Sequence, residues 1–281
     1  MRTSIIITTK DRKGELREAL NSAMLQRADE ILVWDDGSVD GTSEMLAREF
    51  PQVRRLGAAQ SKGLIKARNE LAKAASGEIL LSIDDDAVFT QPGIVADITR
   101  YFEHKAVAAV AIPVVNVRRS ANVLQRASAP ELIEPIRQYI GCAHALRRDS
   151  FLMVGGYPDY LERQEEELHL AAAFHQNGLR IIKGWSDPIH HFESPRRSKA
   201  REIHLEARNL WWFALRYTPW WALVPHLAAS AWNVMHHYRS PWALLGCIEA
   251  VVKCSKIPRT PFSSAEFRSW RELAKTLAPR D

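Results

Sequence analysis

Three consecutive aspartates, Asp84-Asp85-Asp86, follow directly on the apolar run Ile79-Leu80-Leu81-Ser82-Ile83. A carboxylate triplet at the end of a buried strand is electrostatically costly unless a cation compensates it. Hard divalent ions such as Mg²⁺ take oxygen ligands, commonly one or two carboxylates completed by phosphates and water. The triplet therefore reads as a metal or nucleotide contact, against the plainer alternative of a solvated acidic turn. Asp35-Asp36-Gly37-Ser38 repeats the arrangement after Ile31-Leu32-Val33. Alone it would be a capping turn, but two acidic strand ends in neighbouring strands open into one crevice. Glu165-Glu166-Glu167 could supply a general base or merely complement a helix N-terminus. His190-His191 could meet a metal or phosphate, or pack as an ordinary pair.

The elements that must position these groups alternate. Strands are expected at 4–9, 31–33, 53–56, 78–83 and 107–115, with helices at 15–25, 40–50, 62–75 and 92–102 between them. Leu16, Ala19, Leu20, Ala23 and Met24 carry the helical spacing of the first, and Pro92 suits a first helical turn. This pattern implies an α/β fold, a mostly parallel sheet flanked by helices, with ligands at the carboxyl ends of the strands. The acidic groups fall there. From about Ser120 the alternation breaks: a loop over 118–134, a strand at 141–146, a helix at 161–177 and amphipathic helices after Pro195 are expected.

Hydrophobic residues make up 46% and charged residues 25% of the 281, which excludes a disordered chain. Cys142, Cys247 and Cys254 are too few for a disulfide scaffold or a four-cysteine zinc site. Neither G-x-G-x-x-G nor G-x-x-x-x-G-K-[ST] occurs, so phosphate must be held by metal and basic side chains. The first residues carry no secretory signal pattern, so a cytoplasmic protein is expected. The net charge of +5 is mild, but Arg196, Arg197, Lys199, Arg201, Arg208 and Arg216 cluster just before most of the tryptophans. Those tryptophans admit two readings, a core where the tail folds back or a belt at an anionic membrane surface. The apolar stretch 219–238 is interrupted by Pro225, His226, Asn233 and His236-His237, so it does not read as a span. Nucleic acid is disfavoured because no reading module accompanies the basic run.

Four blocks in order resemble the family 2 glycosyltransferases of the GT-A fold. They are Ser4-Ile5-Ile6-Ile7-Thr8-Thr9-Lys10-Asp11-Arg12, then Val33-Trp34-Asp35-Asp36-Gly37-Ser38-Val39-Asp40-Gly41-Thr42, then Gly63 with Ala67-Arg68-Asn69, then Ile83-Asp84-Asp85-Asp86. The similarity continues at Val154-Gly155-Gly156-Tyr157, at Glu165-Glu166-Glu167, at Gly178-Leu179-Arg180-Ile181, at His191-Phe192-Glu193-Ser194-Pro195 and at Ala207-Arg208-Asn209, covering about 3–215. It implies that Thr9, Asp11 and Asp35 contact the nucleoside, with Arg68 near it or the phosphates. Asp84 and Asp86 would end the D-x-D motif around Asp85, Asp86 being the direct metal ligand. His191, with His190 second, would meet metal or diphosphate. Glu166-Glu167 resemble the acidic pair near the acceptor, so Glu167, Glu166 or Glu165, in that order, would be the base. Lys10-Asp11 replaces the usual aromatic–asparagine, Ser61 stands where asparagine is common, and the acidic pair is all glutamate.

The resemblance implies an inverting transferase using Mn²⁺ or Mg²⁺, a nucleotide-diphosphate sugar as donor and a glycan or lipid-linked acceptor. A divalent cation would neutralise the departing diphosphate, and a carboxylate would activate the acceptor hydroxyl. The expected organisation is a catalytic domain at 1–195 and a basic, Trp-rich helical extension at 196–281. Within the former, about 1–115 would bind nucleotide and about 116–195 the acceptor. The extension would place the protein peripherally on the inner face of the cell membrane. A catalytically silent sugar-nucleotide-binding or membrane-associated scaffold of the same fold is the competing expectation.

Overall fold

Strand β1 (Thr3–Thr9) is central because both its faces are hydrocarbon: Ile5 and Ile7 point one way and Ile6 the other, all buried. A computed structural model describes residues 1–193 and 198–273 of the chain, with the side chains of residues 234, 235 and 237 not described. Ser194-Pro195 and the basic pair Arg196-Arg197 lie outside the described residues. The chain runs β1, α1 (Lys13–Met24), β2 (Glu30–Asp35), α2 (Thr42–Glu49), β3 (Arg54–Gly57), α3 (Leu64–Ala74), β4 (Ile79–Asp84), β5 (Ala87–Phe89), α4 (Ile94–Thr99) and β6 (Val107–Ala111). It continues through β7 (Val114–Asn116), β8 (Pro135–Ile136), β9 (Ala143–Arg147), α5 (Arg148–Met153), α6 (Glu166–Gln176), β10 (Arg180–Lys183) and β11 (Ile189–His191). Among the described residues, the α-helices α7 (Lys199–Tyr217), α8 (Trp220–Tyr238), α9 (Pro241–Val252) and α10 (Ser264–Glu272) follow.

The main sheet has the order β3-β2-β1-β4-β9-β6-β10-β8. Its β3–β4 side is parallel, which brings the ends of β1, β2 and β4 to one edge of the layer. Strand β9 runs antiparallel between β4 and β6, and β8 antiparallel to β10. The sheet is thus mixed rather than a simple doubly wound one. The run expected as one strand over 107–115 is two, β6 and β7, which belong to different sheets and are separated by Ile112-Pro113. Proline cannot donate to a ladder, so the chain changes sheets there. The smaller sheet, β5-β11-β7, carries His191.

Two hydrophobic clusters cover the two faces of the sheet. Ile6, Leu32 and Leu80 pack with residues of α3, α6 and α7, whereas Ile5, Ile7, Val33 and Leu81 pack with α1, α2 and α4. The alternating side-chain direction of a strand makes that division.

The tryptophans of the C-terminal helices divide between core and surface. Trp212 is buried and donates to the Ala250 carbonyl at 3.1 Å, and Trp270 is buried against Phe213 and Phe262. Trp220, Trp221, Trp232 and Trp242 are exposed. Helix α9 is inside out in size: Ala243, Gly246, Cys247 and Ala250 are buried, while Leu244, Leu245, Ile248, Val251 and Val252 face solvent. A Cβ at Gly246 would collide with the His204 carbonyl, so its small side permits the close approach of α7. On α8, Trp221, Val224, Ala228 and Trp232 form an exposed apolar stripe at helical spacing. Among the described residues no helix is long and apolar enough to cross a membrane.

Candidate active site

The ends of β1, β2 and β4 border an open cleft of about 1260 Å³, whose far wall includes Asp159, Glu162, Arg163, Arg201 and Leu205. Strand β4 delivers Asp84 at its last position, and the turn into β5 delivers Asp85 and Asp86. β11 pairs antiparallel with β5, His191 opposite Ala87, and the Phe192 N–H donates to the Asp86 carbonyl at 2.8 Å. This pairing seats the His191 Nε2 3.2 Å from Asp86 Oδ1. One ligand atom from each of Asp84, Asp86 and His191 lies within 4.8 Å of the others. His190, on the opposite face of β11, is not in this cluster and lies beside Phe192. Asp86 Oδ1 and His191 Nε2 are buried and face each other without a well-aligned hydrogen bond, and two carboxylates with an imidazole suit a divalent cation. The donor set fits the expected metal.

The charges at this point are strongly coupled. Burial alone would lift the Asp86 carboxyl, but His191 and Arg12 outweigh it and hold it down at about 2. Burial opposes charge on His191, yet Asp86 and Cys142 raise its pKa to about 11. Burial pushes Asp85 up to about 6 despite Arg12 and Thr9. Arg12, which follows β1, donates through Nη1 to Asp85 at 2.7 Å and Asp86 at 2.8 Å. Thr9 Oγ1 donates to Asp85 at 2.8 Å, so this hydroxyl is committed to the middle aspartate.

Arg68 is the link to the glutamates. Buried on α3, it donates through Nη2 to Asp84 at 2.7 Å and to the Gly141 carbonyl at 3.1 Å, and through Nη1 to Glu166 at 3.2 Å. Glu167 Oε1 lies 3.7 Å from the same nitrogen. Gly141 has no room for a side chain, because a Cβ would overlap the Glu167 carboxylate. Burial and then the neighbouring Glu166 charge push the Glu167 carboxyl well above its usual range, against the pull of Arg68. Glu165 stands apart: it caps α6 in the left-handed conformation, φ 64°, and accepts from Gln138 at 3.2 Å. Helix α6 begins at Glu166 rather than at the expected 161, since both Gln164 and Glu165 have positive φ.

Beyond β1 and β2, Asp35 Oδ1 accepts the Ser38 N–H at 2.9 Å and Asp11 Oδ1 the Val39 N–H at 2.7 Å. The loops after β1 and β2 are thereby fastened to each other. Asp36, quoted above only as part of its block, is buried and accepts from Ser61, from the backbone of Lys62 and Gly63, and from Trp34. It holds the segment entering α3, and hence Arg68. Arg12 likewise received no role from the sequence; the signal was its place directly after a strand whose end faces two aspartates.

A family model for glycosyl transferase family 2 matches residues 4–157, more than half of the chain. The chain belongs to that family, and it is a glycosyltransferase of the GT-A fold. Among solved structures, it is similar to the mannosyltransferase PcManGT from Pyrobaculum calidifontis in complex with GDP-Man and Mn²⁺. That match has a TM-score of 0.63 at 21% identity, covering 96% of this chain and 79% of that one. It is also similar to S. aureus TarS 1–349 in complex with UDP-GlcNAc, with a TM-score of 0.64 at 18% identity, covering 92% of this chain and 82% of that one. No curated protein matches the sequence.

Proposed function

We propose that the protein transfers a sugar, with inversion, from a nucleotide-diphosphate donor to a hydroxyl of a glycan or lipid-linked acceptor. The observation that carries this reading is that ligand atoms of Asp84, Asp86 and His191 lie within 4.8 Å of one another, while Arg68 bridges Asp84 to Glu166 and Glu167. It puts a cation-ready cluster and a base-ready carboxylate on either side of one buried arginine. Asp84, Asp86 and His191 would hold Mn²⁺ or Mg²⁺, which when bound neutralises the diphosphate leaving group.

Glu167 is assigned as the base that takes the acceptor proton, with Glu166 second. Its raised affinity for a proton suits that task, because a base works best with a pKa near the operating pH. Arg68 keeps the pair oriented and favours the carboxylate form of Glu167 that accepts the proton. A single base opposite the leaving group means one displacement and an inverted anomeric centre. Thr9, Asp11 and Asp35 border the nucleoside end. Catalysis is assigned to residues 1–195 and the extension to 196–281.

The extension supports a peripheral membrane role on the inner face of the cell membrane. From 219 to 262 the only acidic residue is Glu249, whereas Arg239, Lys253, Lys256 and Arg259 are basic. Glu249 is held by Arg208 and His204, and Lys253 also pairs with it. An apolar, tryptophan-bearing face with cationic edges and no outward acid matches an anionic lipid surface. The decisive experiment is a thermal-shift screen of nucleotide sugars with and without Mn²⁺, since a bound donor stabilises by mass action. A donor that shifts melting only with Mn²⁺ and is then turned over supports the reading; no shift with any nucleotide sugar overturns it.

A further inference from the structure

Helix α7 carries an asparagine where hydrocarbon would pack with less difficulty. Asn209 is fully buried in mid-helix, and a buried amide must find partners for its donors. Both of its hydrogens go to one place: Nδ2 donates to the Arg163 carbonyl at 2.8 Å and to the Gln164 carbonyl at 2.7 Å. Its own side-chain oxygen accepts from Arg208 Nε at 3.1 Å.

The segment so held cannot easily hold itself. Gln164 and Glu165 are consecutive non-glycine residues at φ 70° and 64°, a conformation that side chains disfavour and that persists only when its surroundings impose it. The next two residues are Glu166 and Glu167. The start of α6 is fastened to the same asparagine a second time, because His169 Nε2 lies 3.3 Å from the Asn209 carbonyl. Burial lowers the His169 pKa to about 3, so its ring is neutral. With Nδ1 accepting from the Tyr160 hydroxyl at 3.1 Å, Nε2 is left as the donor to Asn209.

We propose that Asn209 is a positioning residue for the base: it imposes the left-handed turn that aims Glu166 and Glu167 at Arg68. The inference rests on the proposed role of those glutamates. Neighbouring Arg208 reinforces the clamp. Its guanidinium lies 4.4 Å from the Trp212 ring centroid and donates to Glu162, in the loop before α6, and to Glu249 of α9. The loop, α7 and α9 are therefore joined through two adjacent side chains.

The test compares the full-length wild type with Asn209→Ala, Gln164→Gly and the double variant, using Mn²⁺ with whichever of UDP-GlcNAc or GDP-Man shifts the wild type's melting. Asn209→Ala should lower kcat on the order of 10–100-fold while donor affinity by calorimetry changes less than about twofold. Gln164→Gly should restore roughly tenfold of that loss, because glycine adopts the left-handed turn without the clamp. A residue that merely packs α7 would not be rescued from 164. Hydrogen exchange gives a readout independent of turnover: Asn209→Ala should speed exchange at residues 161–168 and leave the rest of α7 protected. If Asn209→Ala does not fold, Asn209→Ser, which keeps one small donor, takes its place. Unchanged exchange at 161–168, or a loss that Gln164→Gly leaves untouched and that falls equally on donor affinity, would overturn the proposal. If neither of these shifts the wild type's melting, the donor that the thermal-shift screen selects takes their place; a wild type that binds and turns over no nucleotide sugar overturns the proposed function, while the exchange result still decides the clamp.

Discussion

At the carboxyl ends of β1, β2 and β4 the protein buries charge, whereas along α8 and α9 it exposes hydrocarbon. In the first region Asp85, Asp86, Arg68, Glu166 and Glu167 are all buried and linked by short polar contacts. In the second, Val224, Ile248 and Val252 face water while alanines and a glycine fill the interface with α7. Each inverts the usual partition of polar and apolar groups. Such inversions are costly in isolation and therefore point outward, to something that completes them. On the proposed reading, a cation and a diphosphate would complete the strand ends, and an anionic lipid surface the helices.

The comparison can be broken hardest at Asp86. Asp86→Ala should abolish Mn²⁺-dependent donor binding and essentially all transfer while the protein stays folded; calorimetry showing unchanged Mn²⁺-dependent affinity would remove it from the metal site. Next come the glutamates. Glu167→Gln should cost on the order of 10²–10⁴ in turnover with donor affinity kept, and Glu165→Gln much less. Equal small losses at Glu165, Glu166 and Glu167 would return the cluster to a helix-capping role.

The pH profile sharpens the same point. Because burial and Glu166 raise the Glu167 pKa, the carboxylate needed to accept a proton is lost already above the ordinary carboxylate range as pH falls. The acid limb of kcat/KM should sit correspondingly high and change in Glu167→Gln. A limb at the pKa of an ordinary exposed glutamate would argue against Glu167.

The helices should yield smaller effects. Trp220→Ala with Trp221→Ala should weaken sedimentation with anionic liposomes severalfold, even at low salt, with little change in melting, since both rings are exposed. Added salt should weaken only the contribution of Arg239 and Lys256. Loss of melting temperature without a lipid defect would make these tryptophans core. The smallest expected change separates the two faces of α9. Gly246→Ala should cost about 1–3 kcal/mol because the new Cβ meets α7, whereas Ile248→Ser should stay within about 0.5 kcal/mol.

Much of this was legible before the structure. The β-branched and leucine-rich runs ahead of Asp35 and Asp84 announced the parallel side of the sheet, because a buried strand needs hydrocarbon on both faces. The antiparallel course of β9 was not legible: Ala143-His144-Ala145-Leu146 reads as a strand in either direction. The sequence already ranked His191 ahead of His190, and the register of β11 brings His191 beside Asp86 and leaves His190 on the other face. Asn209 was noticed only as part of a resemblance. Its partners are backbone carbonyls, which leave no trace in residue identity. Arg12 was hidden for a related reason, since a lone arginine in a loop takes its meaning from what the fold brings opposite.

One feature of the small sheet sets a mechanical rule for the site. Asp86 immediately precedes β5, and His191 ends the strand that pairs with it. A backbone ladder, not a loop, therefore spans the gap between these two groups. The spacing between them behaves like the jaw of a locked caliper: the cleft walls can swing apart without altering it. Asp84 is tied differently, through Arg68 to α3 and to the start of α6. Motion of the acceptor side would thus be felt at one of the three candidate ligands and not at the other two. On the proposed reading, grip on a cation and response to an acceptor would fall to separate joints of the same small cluster.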